Sequence, residues 1–249
     1  MRQIRTLLYF ILFSVAACHP PQKAIEPTTV VFQDYQINNK IQHDPAVVKM
    51  LAPYSDTVKA VMNKVIGFSL QALSKKQPES PLGNFMTDAM REMATKKFDK
   101  KIDAAVINYG GVRAGLPKGE ITVGNVFELM PFDNVIIVTE LNGKQFLQLL
   151  DLIADRGGWP ISGVQMNIKS KKAENIKING KAIDANAKYT VALPDYVANG
   201  GDDAAFMKTI PQQNKGYLMR DAFIEYIQQL SKEGKPVTAN IENRITDGN

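Results

Sequence analysis

The sequence has 249 residues, 45% of them hydrophobic and 22% charged, with 30 Lys+Arg, 25 Asp+Glu, two His and one Cys. This is a globular composition; it excludes a disulfide framework within one chain and leaves little imidazole for a metal centre. A net charge of +5 is too small to imply nucleic-acid binding, and no dense basic run is set among aromatics, so no nucleic-acid partner is expected.

Residues 1–17 place Arg2 and Arg5 before an apolar run, LLYFILF, which is followed by the small residues Ala16 and Ala17. That order is a secretory signal, and the run is too short to cross a bilayer. Cys18 follows at once, and VAAC at 15–18 resembles the lipobox of bacterial lipoproteins. The resemblance implies cleavage before Cys18, a lipid on its thiol and a place in the cell envelope, so Cys18 is expected to be a membrane anchor. Residues 18–42 then read as a proline-containing tether, with His19 idle in it, and a leading strand at 30–38 (VVFQDYQIN).

Asp44 and Pro45 form a helix start, and Val47, Leu51, Tyr54, Val58, Val61 and Val65 recur at spacings of four and three. This predicts a helix with one buried stripe, kinked at Pro53. Ser80 and Pro81 repeat the start signal, with Leu82, Phe85, Met86, Met90 and Met93 as the buried stripe of a second helix. Strands are then predicted at 103–108, 135–141, 163–168, 176–178 and 189–193. Between them Thr122 caps a short helix ending near Leu129, and Asn142-Gly143 leads into a helix that buries Phe146, Leu149, Leu150 and Ile153. Asn179-Gly180 signals a hairpin, and a last helix is expected over 217–230. With no internal repeat, residues 43–249 read as one α+β domain with a mixed sheet and packed helices.

Three loops join a strand end to glycine, an aromatic ring or a fixed polar group. In NYGGVR (108–113), Gly110 and Gly111 let backbone N–H groups approach a ligand, while Asn108 offers a donor and an acceptor and Arg113 a planar cation. A glycine pair after a strand is by itself more often only a tight turn. LMPFDN (129–134) sets Phe132 on a proline-stiffened loop, and DYVANGGD (195–202) brackets a glycine turn with Tyr196 and Asp202. Each ring alone is an ordinary core plug; two flanking one slot would stack a planar heterocycle, with the carboxylate on ribose hydroxyls.

With ESPLGNFMTDAMR (79–91), these segments, in this order, resemble the C-terminal domain of the 5'-nucleotidases. The resemblance covers about residue 44 to the end. It implies a domain that clamps the nucleoside part of a nucleotide, with Phe132 and Tyr196 as the stacking pair and Asn108 on the base. Asp202 would hold the ribose, and Arg113 would lie near sugar or phosphate. Where the family has an arginine upstream of the 79–91 block this chain has KKQP (75–78), so Lys76 is the expected substitute, as a point charge without bidentate geometry. Other departures are Tyr109 and Asp133, where glycine is usual, and tyrosine at 196. Asp133 is expected to add negative charge beside the stacking ring and to disfavour a polyphosphate.

Hydrolases of the family carry an N-terminal metallophosphoesterase domain with two metal ions. Here only a signal and a tether precede the matched region, and His43 has no donor partner beyond Asp44, so no catalytic residue and no metal ligand are expected. Two expectations follow. Either the chain is the substrate-recognition half of a split 5'-nucleotidase, inactive alone, whose divalent metal pair sits in a separate metallophosphoesterase chain; or it is a non-catalytic nucleoside-binding, nucleotide-binding or structural envelope lipoprotein. The first requires an exposed apolar face for the partner.

Overall fold

The computed structural model describes Asp34, Asn38 and residues 41–248. The expected signal, the Cys18 anchor and the tether lie outside these residues, as does the leading strand at 30–38 apart from Asp34 and Asn38. The chain divides into two compact units, residues 1–48 and 49–249. In the first, Asp44 Oδ1 accepts the backbone N–H of Ala46 at 2.8 Å and opens helix α1 (Pro45–Met62).

Helix α1 forms where its spacing predicts, but its stripe is not buried. Leu51, Tyr54, Val58 and Val61 are 50%, 72%, 53% and 52% exposed, and no residue of the helix is buried. Periodicity identifies an apolar face without identifying what covers it. Pro53, the site of the expected kink, lies inside the helix, and Val65 belongs not to its stripe but to strand β1 (Val65–Ser69).

Helix α2 (Pro81–Phe98) begins where Ser80 Oγ accepts the N–H of Gly83 at 3.1 Å, with proline at the first helical turn. Two capping boxes open the next helices, Thr122 with Asn125 at α3 (Val123–Leu129) and Asn142 with Gln145 at α4 (Gly143–Asp155). The strands are β2 (Ala104–Val106), β3 (Gly119–Thr122), β4 (Val135–Asn142), β5 (Ile161–Ser162), β6 (Val164–Lys169), β7 (Lys172–Ile178), β8 (Lys181–Ala182) and β9 (Lys188–Pro194). A short helix α5 (Asp195–Ala198) then leads to β10 (Gln212–Leu218), helix α6 (Met219–Lys232) and β11 (Ile245–Asp247).

The mixed sheet has five strands in the order β10-β4-β9-β2-β5, beside a four-stranded sheet β11-β6-β7-β8 and the pair β1-β3. Both faces of the five-stranded sheet are covered. Ile136, Val138 and Ala192 pack toward α2, α3 and α6, whereas Ile137, Leu141, Val191 and Leu193 pack toward α4 and the four-stranded sheet. A strand buried on both faces has no polar alternation, which is why VIIVTEL reads as a continuous apolar run.

Strands β1, β3, β10 and β11 carry no such signal. The polar sequence QQNKGYL of β10 lies at the sheet edge, so Tyr217 and Leu218 are strand residues and the last helix starts at Met219, two residues later than predicted.

The pairing directions bring distant loops together. β2 and β9 are parallel, so the loops leaving them, which begin at Asn108 and Asp195, emerge at one sheet edge. β4 is antiparallel to β9, with Ile136 opposite Pro194, so the segment entering β4 from Phe132 arrives at that same edge. β10 is antiparallel to β4, with Leu218 opposite Val135, and brings the start of α6 there as well.

Candidate nucleoside site

At this edge lies a cavity of about 360 Å³ lined by Asn108, Gly110, Gly111, Phe132, Asp133, Asn134, Tyr196 and Asp202. Its size is that of a small-molecule pocket. Phe132 and Tyr196 are 43% and 47% exposed, so each ring offers a free surface to the cavity rather than plugging the core.

Asp202 is held from two loops. Asn108 Nδ2 donates to its Oδ2 at 2.7 Å and the Tyr196 hydroxyl to its Oδ1 at 3.3 Å. Its backbone sits in the left-handed region at φ 50°, a conformation aspartate tolerates better than most residues. An ionised carboxylate has about four lone-pair positions, so with one protein donor on each oxygen it can still accept two hydroxyl groups.

Two glycines are dictated by these side chains. A Cβ at Gly111 would stand 2.9 Å from Asn108 Oδ1, and one at Gly201 would stand 2.5 Å from Cε1 and Cζ of the Tyr196 ring. The glycine pairs therefore let side chains pack onto backbone, the Asn108 carboxamide on one loop and the Tyr196 ring on the other.

The loops are also tied to each other. The backbone N–H of Arg113 donates to the Leu129 carbonyl at 3.0 Å, and Asn134 Nδ2 donates to Asp195 Oδ1 at 2.7 Å. Arg113 is at the rim, its guanidinium 5.9 Å from the Phe132 ring centre and its Nη1 3.5 Å from the Gly110 carbonyl.

Lys76 is placed elsewhere. Expected beside the site, it is not among the residues lining the pocket and instead lines a separate small cavity with Pro78, Glu79, Trp159 and Arg244. The neighbouring Lys75 reaches the 108–113 loop instead, donating to the Val112 carbonyl at 2.7 Å and lying 4.4 Å from the centre of the Tyr109 ring. One residue of register separates the two lysines, and spacing alone does not choose between them.

The 79–91 block is structural here. The Glu79 carboxylate accepts Asn84 Nδ2 at 2.7 Å and the backbone N–H groups of Glu242 and Arg244 at 2.8 and 2.9 Å, clasping the C-terminal segment. Arg244 in turn grips Asp88 through both terminal guanidinium nitrogens, Nη1 and Nη2, at 2.9 and 2.6 Å. Burial opposes the charge of Arg244, but Asp88 and Glu242 hold its pKa above the usual arginine value.

Sequence reasoning missed Arg220, on the first turn of α6. Its Nη2 donates to Asp133 Oδ1 at 2.6 Å and its Nη1 to the Phe132 carbonyl at 3.4 Å. The negative charge expected of Asp133 at the pocket is therefore offset by a paired cation. No local motif marks an arginine at this position.

The donor set does not suit a metal pair: among the described residues no three of His, Cys, Asp or Glu lie close enough to hold an ion. No step routed through a metal follows from these residues.

A 5'-nucleotidase C-terminal domain model matches residues 57–209. The chain is 30% identical over 233 residues to the trifunctional nucleotide phosphoesterase protein YfkN of Bacillus subtilis (strain 168), covering 85% of this chain and 16% of that protein. It is 28% identical over 203 residues to a 5'-nucleotidase of Vibrio vulnificus (strain CMCP6), covering 78% of this chain and 36% of that protein. The crystal structure of a 5'-nucleotidase precursor from Thermus thermophilus superposes with a TM-score of 0.71 and 29% identity, over 80% of this chain and 42% of that one. The chain thus spans less than half the length of each of these relatives. The matched region takes in the three loops that meet at the pocket, and the chain belongs to the 5'-nucleotidase C-terminal domain family.

Proposed function

We propose that the protein binds a nucleoside or nucleotide between Phe132 and Tyr196, as the substrate-recognition half of a split 5'-nucleotidase held in the cell envelope by a lipid on Cys18. The observation that carries this reading is the cavity lined together by both rings, Asn108 and Asp202. A base stacks on the rings, and the two open acceptor positions of Asp202 take the ribose hydroxyls. Asn108 holds Asp202 and has a second amide hydrogen for the ligand. Arg113 and Lys75 put two cations on the loop next to the sugar, where a phosphate would extend.

The metal pair that cleaves the phosphoester belongs, in this reading, to a separate metallophosphoesterase chain. The exposed apolar stripe of α1 favours this arrangement over a free-standing binder, since Leu51, Tyr54, Val58 and Val61 form the kind of contiguous apolar face that marks a protein contact.

Calorimetric titration of the purified chain with adenosine and AMP tests the pocket. AMP hydrolysis with Mn²⁺ or Zn²⁺, by the chain alone and then mixed with a metallophosphoesterase encoded beside it, tests the division of labour. Binding alone and hydrolysis only in the mixture are expected. Hydrolysis by the chain alone overturns the split reading, and absence of nucleoside binding overturns the site.

A further inference from the structure

Arg220 is unfavourably placed for the stability of its own helix. It is the second residue of α6, where the helix dipole opposes a cation. The residue is only 9% exposed, and its Nε is buried without a hydrogen-bond partner. A buried polar atom left unpaired is destabilising, and an apolar side chain of similar volume would avoid that cost.

The Phe127 ring, 4.1 Å from the guanidinium carbon, compensates in part. An apolar chain would pack against that ring as well. What only a guanidinium supplies is the pair of bonds to consecutive residues, Nη1 to the Phe132 carbonyl and Nη2 to the Asp133 carboxylate. Those two groups lie on either side of the 132–133 peptide bond, so the guanidinium holds the stretch of backbone from which the Phe132 side chain projects. The backbone N–H of Met219 adds a third tie, donating to the Asn134 carbonyl at 2.9 Å. Sites where a sequence breaks local rules for stability are where function is expected to explain the residue.

We propose that Arg220 is a positioning residue of the pocket. By bridging the Phe132 carbonyl and Asp133 it locks the 131–134 loop so that the Phe132 ring stands ready for a base, and it neutralises Asp133 at the pocket wall. This rests on the reading of the pocket as a nucleoside site. Arg220 does not line the cavity, so it acts through Phe132 and Asp133 rather than on the ligand.

The test compares Arg220→Met, Arg220→Lys and Asp133→Asn with the unmodified chain. Three quantities are measured: amide hydrogen exchange over residues 132–135 without ligand, melting temperature, and adenosine affinity by calorimetry. Arg220→Met should speed exchange in the loop and weaken adenosine binding roughly tenfold, as expected for the loss of a charge-assisted tie, while the melting temperature stays level or rises. Arg220→Lys should fall between, because an ammonium reaches one of the two acceptors but not both in fork geometry. Arg220→Met combined with Asp133→Asn should bind no worse than the weaker single variant.

Unchanged loop exchange in both Arg220 variants overturns the proposal, whatever adenosine does. So does faster exchange with unchanged affinity, or a lowered melting temperature with unchanged affinity, since a purely structural arginine would give either. If the unmodified chain binds no adenosine while the loop loosens in the variants, the nucleoside reading of the pocket fails, and with it the role given to Arg220 in binding.

Discussion

Asn134 and Asp195 join the two ring-bearing loops: Asn134 Nδ2 donates to Asp195 Oδ1 at 2.7 Å, and the same oxygen accepts the backbone N–H of Tyr196 at 2.9 Å. One carboxylate oxygen thereby connects the residue two after Phe132 to the backbone of Tyr196. In the proposed reading this contact fixes the gap between the rings before a ligand arrives, so that a planar guest meets a preformed slot.

Replacing Asn134 by alanine should loosen that gap. The lost bond is to a charged acceptor, so adenosine binding is expected to weaken by about 1.5 kcal/mol, roughly tenfold, measured by calorimetry. An unchanged affinity would mean that the slot is set elsewhere.

Removing either stacking ring should cost about 1 to 3 kcal/mol of nucleoside binding. Phe132→Ala and Tyr196→Ala test this by titration with adenosine. Tyr196→Phe separates stacking from hydrogen bonding, because it keeps the ring and loses only the hydroxyl that donates to Asp202 at 3.3 Å. It should bind nearly as well as the unmodified chain.

Asp202 predicts selectivity for the sugar. The unmodified chain should bind adenosine more tightly than 2',3'-dideoxyadenosine, by about 1 to 3 kcal/mol for the carboxylate bonds to the two hydroxyl groups. Asp202→Ala should bind the two compounds alike. Discrimination that survives the substitution would assign the ribose contact to another group.

The clasp on the C-terminal segment predicts a stability effect separate from binding. Arg244 is only 7% exposed and meets Asp88, Glu242 and the Ile161 carbonyl, so Arg244→Ala leaves Asp88 with the Ser162 hydroxyl but no paired cation and opens a gap beneath the segment. A loss of about 2 kcal/mol is expected, below the range for a fully buried pair because both acid side chains are well exposed. Urea unfolding followed by far-ultraviolet circular dichroism measures it. Arg244→Met restores packing without charge and should recover part of the loss.

What the sequence by itself determined is local. Ser80-Pro81, Thr122 with Asn125, and Asn142 with Gln145 open their helices because a capping side chain acts within three residues of the backbone it satisfies. The strand at 135–142 is evident because burial on both faces leaves an unbroken apolar run. The three loop motifs name six residues that line one cavity, and their order along the chain is specific enough to indicate the family.

The tertiary structure decided everything that depends on pairing. Three loops share an edge because β2 and β9 are parallel while β4 runs against them, and strand direction is not written in any one strand. Arg220 meets Asp133 across 87 positions of sequence, and Lys75 rather than Lys76 reaches the 108–113 loop by a single residue of register. The polar edge strand β10 exists because β4 offers it a partner, and the stripe of α1 is bare because none of the described residues packs over it. Periodicity and capping act over a few residues of chain, whereas register, edge and partner are chosen between segments far apart in it; only the folded arrangement holds that choice.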